Sequence, residues 1–219
     1  MAHATKDIDA FSAKGDSGPT RLDPRRTAIV VVDMVNEFCV EGGAMVLPGY
    51  ERLIAPQLTV INAARRVGVP IVFVNDQHRA NLRGDREFLK RIPHCIEGTW
   101  AVKVVDALEP RPVDIYIVKR RYSGFFSTDL DLTLKDIKVD SIVVMGVVTN
   151  ICVRSTVHDG FFLGYRVFVP EDCVAATTPR EQASSLYDIA THFGWVSDAQ
   201  TIARALTDSE LVDNRFDFA

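Results

Sequence analysis

The chain has little of what marks several protein classes. It carries only four cysteines in 219 residues, Cys39, Cys95, Cys152 and Cys173, and no two of them form a CxxC pair. That excludes a disulfide-dense miniprotein and reads as reduced thiols of a cytoplasmic protein. Neither sign of charge is in large excess: 25 Lys+Arg against 29 Asp+Glu leave a net −4. With no basic footprint, neither nucleic acid nor an anionic membrane surface is expected as a partner. No apolar run approaches the roughly 18–20 residues that span a bilayer. Met1 to Thr20 lacks the apolar stretch of a secretory signal and reads as part of a flexible extension over 1–24. With 13 Gly and 10 Pro, the chain is neither collagen-like nor low in complexity.

What is present is an ordinary globular composition, 47% apolar and 25% charged. Short β-branched runs recur: Ala28–Val32 before Asp33, Pro70–Val74 before Asn75-Asp76, Asp114–Val118 before Lys119, Ser141–Met145 before Gly146, and Arg166–Val169 before Pro170. Each is four to six residues long and unalternating, the pattern of strands buried on both faces. Helical periodicity fills the gaps, over Glu51–Val67, from Ser127/Thr128 to Ile137, over Asn150–Leu163 and over Pro179–Thr191. Ser197-Asp198-Ala199-Gln200 has capping-box spacing for a last helix to Leu206. Alternating strand and helix predicts one doubly wound α/β domain over 25–207, with a mostly parallel sheet, followed by a polar tail over 208–219.

In such a fold chemistry gathers at the carboxyl ends of the strands. Asp33, Asp76, His78, Lys119 and Cys152 all fall there. Cys152 sits in the first turn of a helix that follows a strand, where the helix dipole favours thiolate and backbone N–H groups can hold an oxyanion. Taken singly, the three central residues also have plainer readings. Cys152 can be a small buried hydrophobe, Lys119 a solvated strand end, and Asp33 a turn cap.

Taken together, the segments Val31-Val32-Asp33-Met34-Val35-Asn36-Glu37-Phe38, Lys119-Arg120-Arg121-Tyr122-Ser123-Gly124-Phe125-Phe126, and Gly146-Val147-Val148-Thr149-Asn150-Ile151-Cys152 resemble the isochorismatase-like cysteine hydrolase superfamily. That group includes nicotinamidases, N-carbamoylsarcosine amidohydrolases, ureidoacrylate amidohydrolases and isochorismatases. The resemblance runs from about Ala28 to Leu206 and implies a six-stranded parallel sheet with helices on both faces. It implies Cys152 as nucleophile, Asp33 as proton acceptor and Lys119 as supporting cation. It also implies a cis peptide between Val147 and Val148, with the Val148 and Cys152 N–H groups forming an oxyanion hole. Phe38, Tyr122 and Asn150 are expected to line the substrate pocket. The substrate implied is a small carboxamide or ureido compound, cleaved through a thioester with release of ammonia or an amine. A homodimer or homotetramer is expected, with Phe161-Phe162 and Phe216–Phe218 as candidate contact points.

A second group is Asp76, His78 and His94. Two imidazoles and a carboxylate suit an open site for Zn²⁺ or a similar divalent ion, and the placement resembles the metal site of nicotinamidases. The alternative is that these groups only line the pocket, since the thiol chemistry itself needs no cofactor. His158 reads as structural, Arg154 as a helix-face charge, and Cys39 and Cys173 as buried thiols. Specificity is assigned to the loops Val40–Tyr50 and Ala80–Ile92. A nicotinamidase-type metal-assisted amidase, an isochorismatase acting on a vinyl ether, and a non-catalytic metabolite-binding relative stand as alternatives.

Overall fold

The structure, a computed structural model, describes residues 18–82 and 84–215. The chain forms β1 (Thr20–Arg21), β2 (Thr27–Val32), α1 (Asn36–Cys39), α2 (Ile54–Arg66), β3 (Ile71–Asp76), β4 (Ile115–Lys119), α3 (Leu130–Asp136), β5 (Ser141–Val147), α4 (Arg154–Phe162), β6 (Arg166–Pro170), β7 (Val174–Ala175), α5 (Pro179–Asp188), β8 (Trp195–Ser197), α6 (Ala199–Asp208) and β9 (Leu211–Val212). The extension and tail expected over 1–24 and 208–219 lie partly outside the described residues. Within them, β1 pairs antiparallel with β9 and ties the two ends of the domain together. No helix among the described residues is long and apolar enough to cross a membrane.

The central sheet is parallel, in the order β4-β3-β2-β5-β6-β8, and β7 adds a short pairing to β5. The chain builds outward from β2 through β3 to β4, then returns to the other side of β2 with β5. The reversal therefore lies between β2 and β5, where a doubly wound sheet opens a crevice at its carboxyl end. Every residue of β2, β3 and β5 is buried, as the unalternating runs predict. Gly146 of β5 has φ +125°, and a Cβ there would stand 1.9 Å from the Val32 carbonyl oxygen. Only glycine lets the two central strands approach at the mouth of the crevice.

Four details differ from the sequence reading. β4 is an edge strand and does alternate: Tyr116 and Val118 face outward at 47% and 50% exposure. The sixth strand of the main path, β8, has three residues, too few to give a periodic signal. Asp198, not Ser197, caps α6; its carboxylate accepts from the Thr201 N–H at 2.7 Å, while Ser197 ends β8. Cys152 lies in a π-helical turn, Thr149–Val153, that precedes α4 rather than in the α-helix itself.

Candidate active site

Three elements deliver the central side chains. Asp33 follows β2 with φ +56°, a left-handed conformation that Asp tolerates better than most residues. That bend turns its carboxylate across the end of the sheet. Asp33 Oδ1 accepts from the Asp76 N–H at 2.8 Å, which locks the carboxylate to β3. Lys119 ends β4, in register with Asp76, and reaches inward over β3. Its Nζ lies 2.9 Å from Asp33 Oδ2 and 3.7 Å from Asp76 Oδ1, and it donates to Cys152 Sγ at 3.7 Å. The Val147–Val148 peptide is cis, as the family resemblance implies.

Burial sets the charge state of these groups. Desolvation raises the Asp33 carboxyl above its ordinary value, and the Lys119 charge only partly opposes this. Burial likewise pushes the Cys152 thiol well above its usual range, with Lys119 pulling down and Asp33 pushing up. Desolvation disfavours the Lys119 ammonium, yet Asp33, then Cys152 and Asp76, outweigh it and hold that pKa well above the usual lysine value. Burial thus favours the neutral form of the Cys152 thiol, while Asp33 favours the charged form of Lys119. Asp33 Oδ2 meets the Lys119 ammonium, and the same carboxyl faces the Cys152 thiol.

These groups stand at a cavity of about 220 Å³. Asp33, Asp76, Glu87, His94 and Cys152 form its floor, and Phe38, Met45, Val46, Leu47, Pro48 and Ile151 give it apolar walls. Val147 and Val148 also line it, and Arg91, Tyr122 and Thr177, which are exposed, form the rim. Phe38 and Tyr122 line the pocket as expected. Asn150 does not: it faces a separate surface depression with Arg154, Arg180 and Glu181. The π-helical turn explains this, because its wider winding carries Ile151 and Cys152 inward while Asn150 points away. Arg154 pairs with Asp188 at 2.7 Å, and His158 stacks on Phe193 at 3.9 Å between ring centroids. Neither residue lines the cavity. Cys39 and Cys173 are buried thiols.

Beside Asp33 the second group gathers more tightly than the sequence suggests. A backbone bridge pairs His78 with Ile96, and the His78 N–H donates to the Cys95 carbonyl at 2.8 Å. It sets the His78 and His94 rings 4.9 Å apart. Asp76, His78, Glu87 and His94, all buried, each offer a donor atom within 4.8 Å of the others. The His94 Nδ1–H donates to the Ile92 carbonyl at 2.7 Å, so its Nε2 faces Asp76 Oδ2, 3.3 Å away, with a lone pair unless the ring is doubly protonated. His78 repeats the pattern: Nδ1 bonds Asp85 Oδ2 at 2.9 Å, and Nε2 faces the same Asp76 oxygen at 3.0 Å. Two imidazole lone pairs aimed at a carboxylate require a cation between them, either a second proton on the rings or a metal ion. Asp76 Oδ1 and Glu87 Oε1 are buried without hydrogen-bond partners, as unused ligand atoms would be. The donor set therefore fits a divalent ion, and Asp85 supplies the outer contact that fixes a ligating histidine.

Sequence reasoning missed Glu87, Asp85 and Arg91. All three lie in the Ala80–Ile92 loop, which has no periodicity to orient side chains. The only signal was a pair of carboxylates, Asp85 and Glu87, shortly after a strand-end His. Glu37 was also passed over. Buried, it accepts from the Cys95 N–H at 3.0 Å and the Ala44 N–H at 3.1 Å, and so ties the His94 segment to the apolar wall.

Comparison with known proteins agrees with this geometry. The structure is similar to a cysteine hydrolase from Pseudomonas syringae pv. phaseolicola 1448A, with 30% identity over 89% of this chain and 100% of that one and a TM-score of 0.82. It is similar to the N-carbamoylsarcosine amidase of Thermoplasma acidophilum, with 35% identity over 80% and 96% of the two chains and a TM-score of 0.71. It is similar to a nicotinamidase/pyrazinamidase from Bacillus subtilis, with 26% identity over 79% and 100% and a TM-score of 0.73. Residues 27–201 match the isochorismatase domain, so this chain belongs to the isochorismatase family of hydrolases.

Proposed function

We propose that the protein is a cysteine-dependent amidohydrolase that cleaves a small carboxamide or ureido substrate. The observation that carries this reading is the buried contact of Lys119 with both Asp33 Oδ2 and Cys152 Sγ at the floor of a small apolar cavity. On substrate binding, Asp33 Oδ2 takes the Cys152 Sγ proton and the thiolate attacks the carbonyl carbon. Lys119 keeps the site's charge balanced as that proton moves. The oxyanion sits against the Val148 and Cys152 N–H groups, each such donor being worth roughly 10²–10³ in rate. The carbon–nitrogen bond then breaks, and Asp33 returns its proton to the departing amine. A water molecule gives a proton to Asp33 and attacks the thioester. The acid is released, and the proton passes back to Sγ.

Asp76, His78, Glu87 and His94 are the residues that would hold a divalent ion such as Zn²⁺ beside this triad. There it would supply a Lewis acid for a substrate heteroatom or carbonyl oxygen. The buried, unpartnered oxygens of Asp76 and Glu87 beside His78 and His94 favour this metal-assisted, nicotinamidase-type version of the reading over a metal-free one. The test is ammonia release from a panel of small amides and ureido compounds, with the metal content of the purified protein measured in parallel. Turnover of one or more panel members supports the assignment, and no turnover of any would count against it.

A further inference from the structure

The cavity is polarised along its length. Its floor carries three buried carboxylates, Asp33, Asp76 and Glu87, and the Lys119 ammonium beneath them is engaged by Asp33 and Asp76. Its walls are apolar. At the rim stands Arg91, the one guanidinium or ammonium among the described lining residues. Its side chain donates only to the neighbouring Lys90 carbonyl, at 3.0 Å, and no described carboxylate pairs with it. Most other arginines near the site are engaged: Arg120 and Arg121 with Asp85, and Arg154 with Asp188.

We infer that Arg91 selects substrates that bear a carboxylate at the end remote from the scissile amide. This rests on the amidohydrolase reading and names its substrate class. The scissile carbonyl has to reach Cys152 at the floor, so a carboxylate at the substrate's other end stands at the rim beside Arg91. There a guanidinium can meet it in a two-pronged, charge-assisted hydrogen bond. The Tyr122 hydroxyl, on the same rim, is a second donor for the same oxygens. The apolar walls between floor and rim fit a short, uncharged spacer.

The test uses matched pairs in which only the charge changes: succinamic acid against 4-oxopentanamide, and N-carbamoylglycine against N-acetonylurea. Ammonia release gives kcat/KM. Protection of Cys152 from iodoacetamide by the same compounds gives binding without turnover. The wild-type protein is expected to prefer the carboxylate of each pair by about tenfold to a hundredfold, the range for a hydrogen bond to a charged group. In Arg91→Gln that preference collapses towards one, through KM rather than kcat, and Arg91→Lys retains part of it. Arg91 is exposed, so equal melting temperatures will verify that the variants fold. Equal binding of charged and neutral partners by the wild type, or a preference that survives Arg91→Gln, overturns the inference. Carboxylates that protect Cys152 but are never hydrolysed would leave the inference standing and remove the amidohydrolase reading instead.

Discussion

Lys119 Nζ lies 2.9 Å from Asp33 Oδ2, and both side chains are 1% exposed. Burying an ammonium and a carboxylate is costly unless each finds a partner, and removing one strands the other. This pair is held at the crevice between β2 and β5, where it also meets the Cys152 sulfur. Its position there, more than any contribution to stability, makes it the centre of the proposed chemistry.

The proton acceptor can be tested directly. Asp33→Asn preserves size but cannot take the thiol proton. Its kcat is expected to fall by roughly 10²–10⁴, the range for a general base. Steady-state ammonia release measures it, and an undiminished kcat would take Asp33 out of the mechanism.

Activity should decline on the acid side earlier than a solvated aspartate would cause. Asp33 must be ionised to accept the proton, and burial, only partly offset by Lys119, raises its pKa above the ordinary 3.8. Protonation as the pH falls through that raised value removes the base. Lys119, held above its usual value, stays charged throughout. The charged groups facing Asp33 are Lys119, Cys152 and Asp76. A kcat/KM profile flat down to the ordinary aspartate value would contradict this.

Thiol reactivity should separate the four cysteines. Burial pushes Cys39 up to about 12 and raises Cys95 and Cys173 as well. Cys152 is raised too, but it alone opens onto the cavity. Iodoacetamide near neutral pH should therefore modify Cys152 first, and peptide mass spectrometry reads the order. Labelling of another cysteine ahead of it would place the accessible thiol elsewhere.

For the metal cluster, elemental analysis of the purified protein is expected to find about one divalent ion per chain, in a site of the usual His and carboxylate ligands. His94→Ala should remove it, and Glu87→Gln should weaken it. Asp85→Asn should weaken binding by about 10–100-fold, because it releases the contact that orients His78. Metal-free protein, together with unchanged activity in His94→Ala, would reduce the cluster to pocket lining.

Much of this was legible in the sequence, and the exceptions share a cause. β2, β3 and β5 announce themselves because both faces are buried and nothing alternates. Asp33, Lys119 and Cys152 stand at or just past strand ends, which the doubly wound topology brings to one edge. Glu87 and Arg91 were hidden because an irregular loop places side chains through tertiary contacts, not through a local period. Asn150 was expected in the pocket alongside the family resemblance, and the π-helical turn instead leaves it at a separate surface depression. β4 was read as covered on both faces because sequence alone does not say which strand lies at a sheet edge.

The most direct test of the covalent mechanism is the turnover of Cys152→Ala beside the wild type, at matched melting temperature, on whichever panel amide the wild type hydrolyses. Alanine removes the sulfur and leaves the fold, Asp33, Lys119 and any bound metal in place. The account predicts no ammonia release above the uncatalysed rate. Turnover by the alanine variant at the wild-type rate would contradict it.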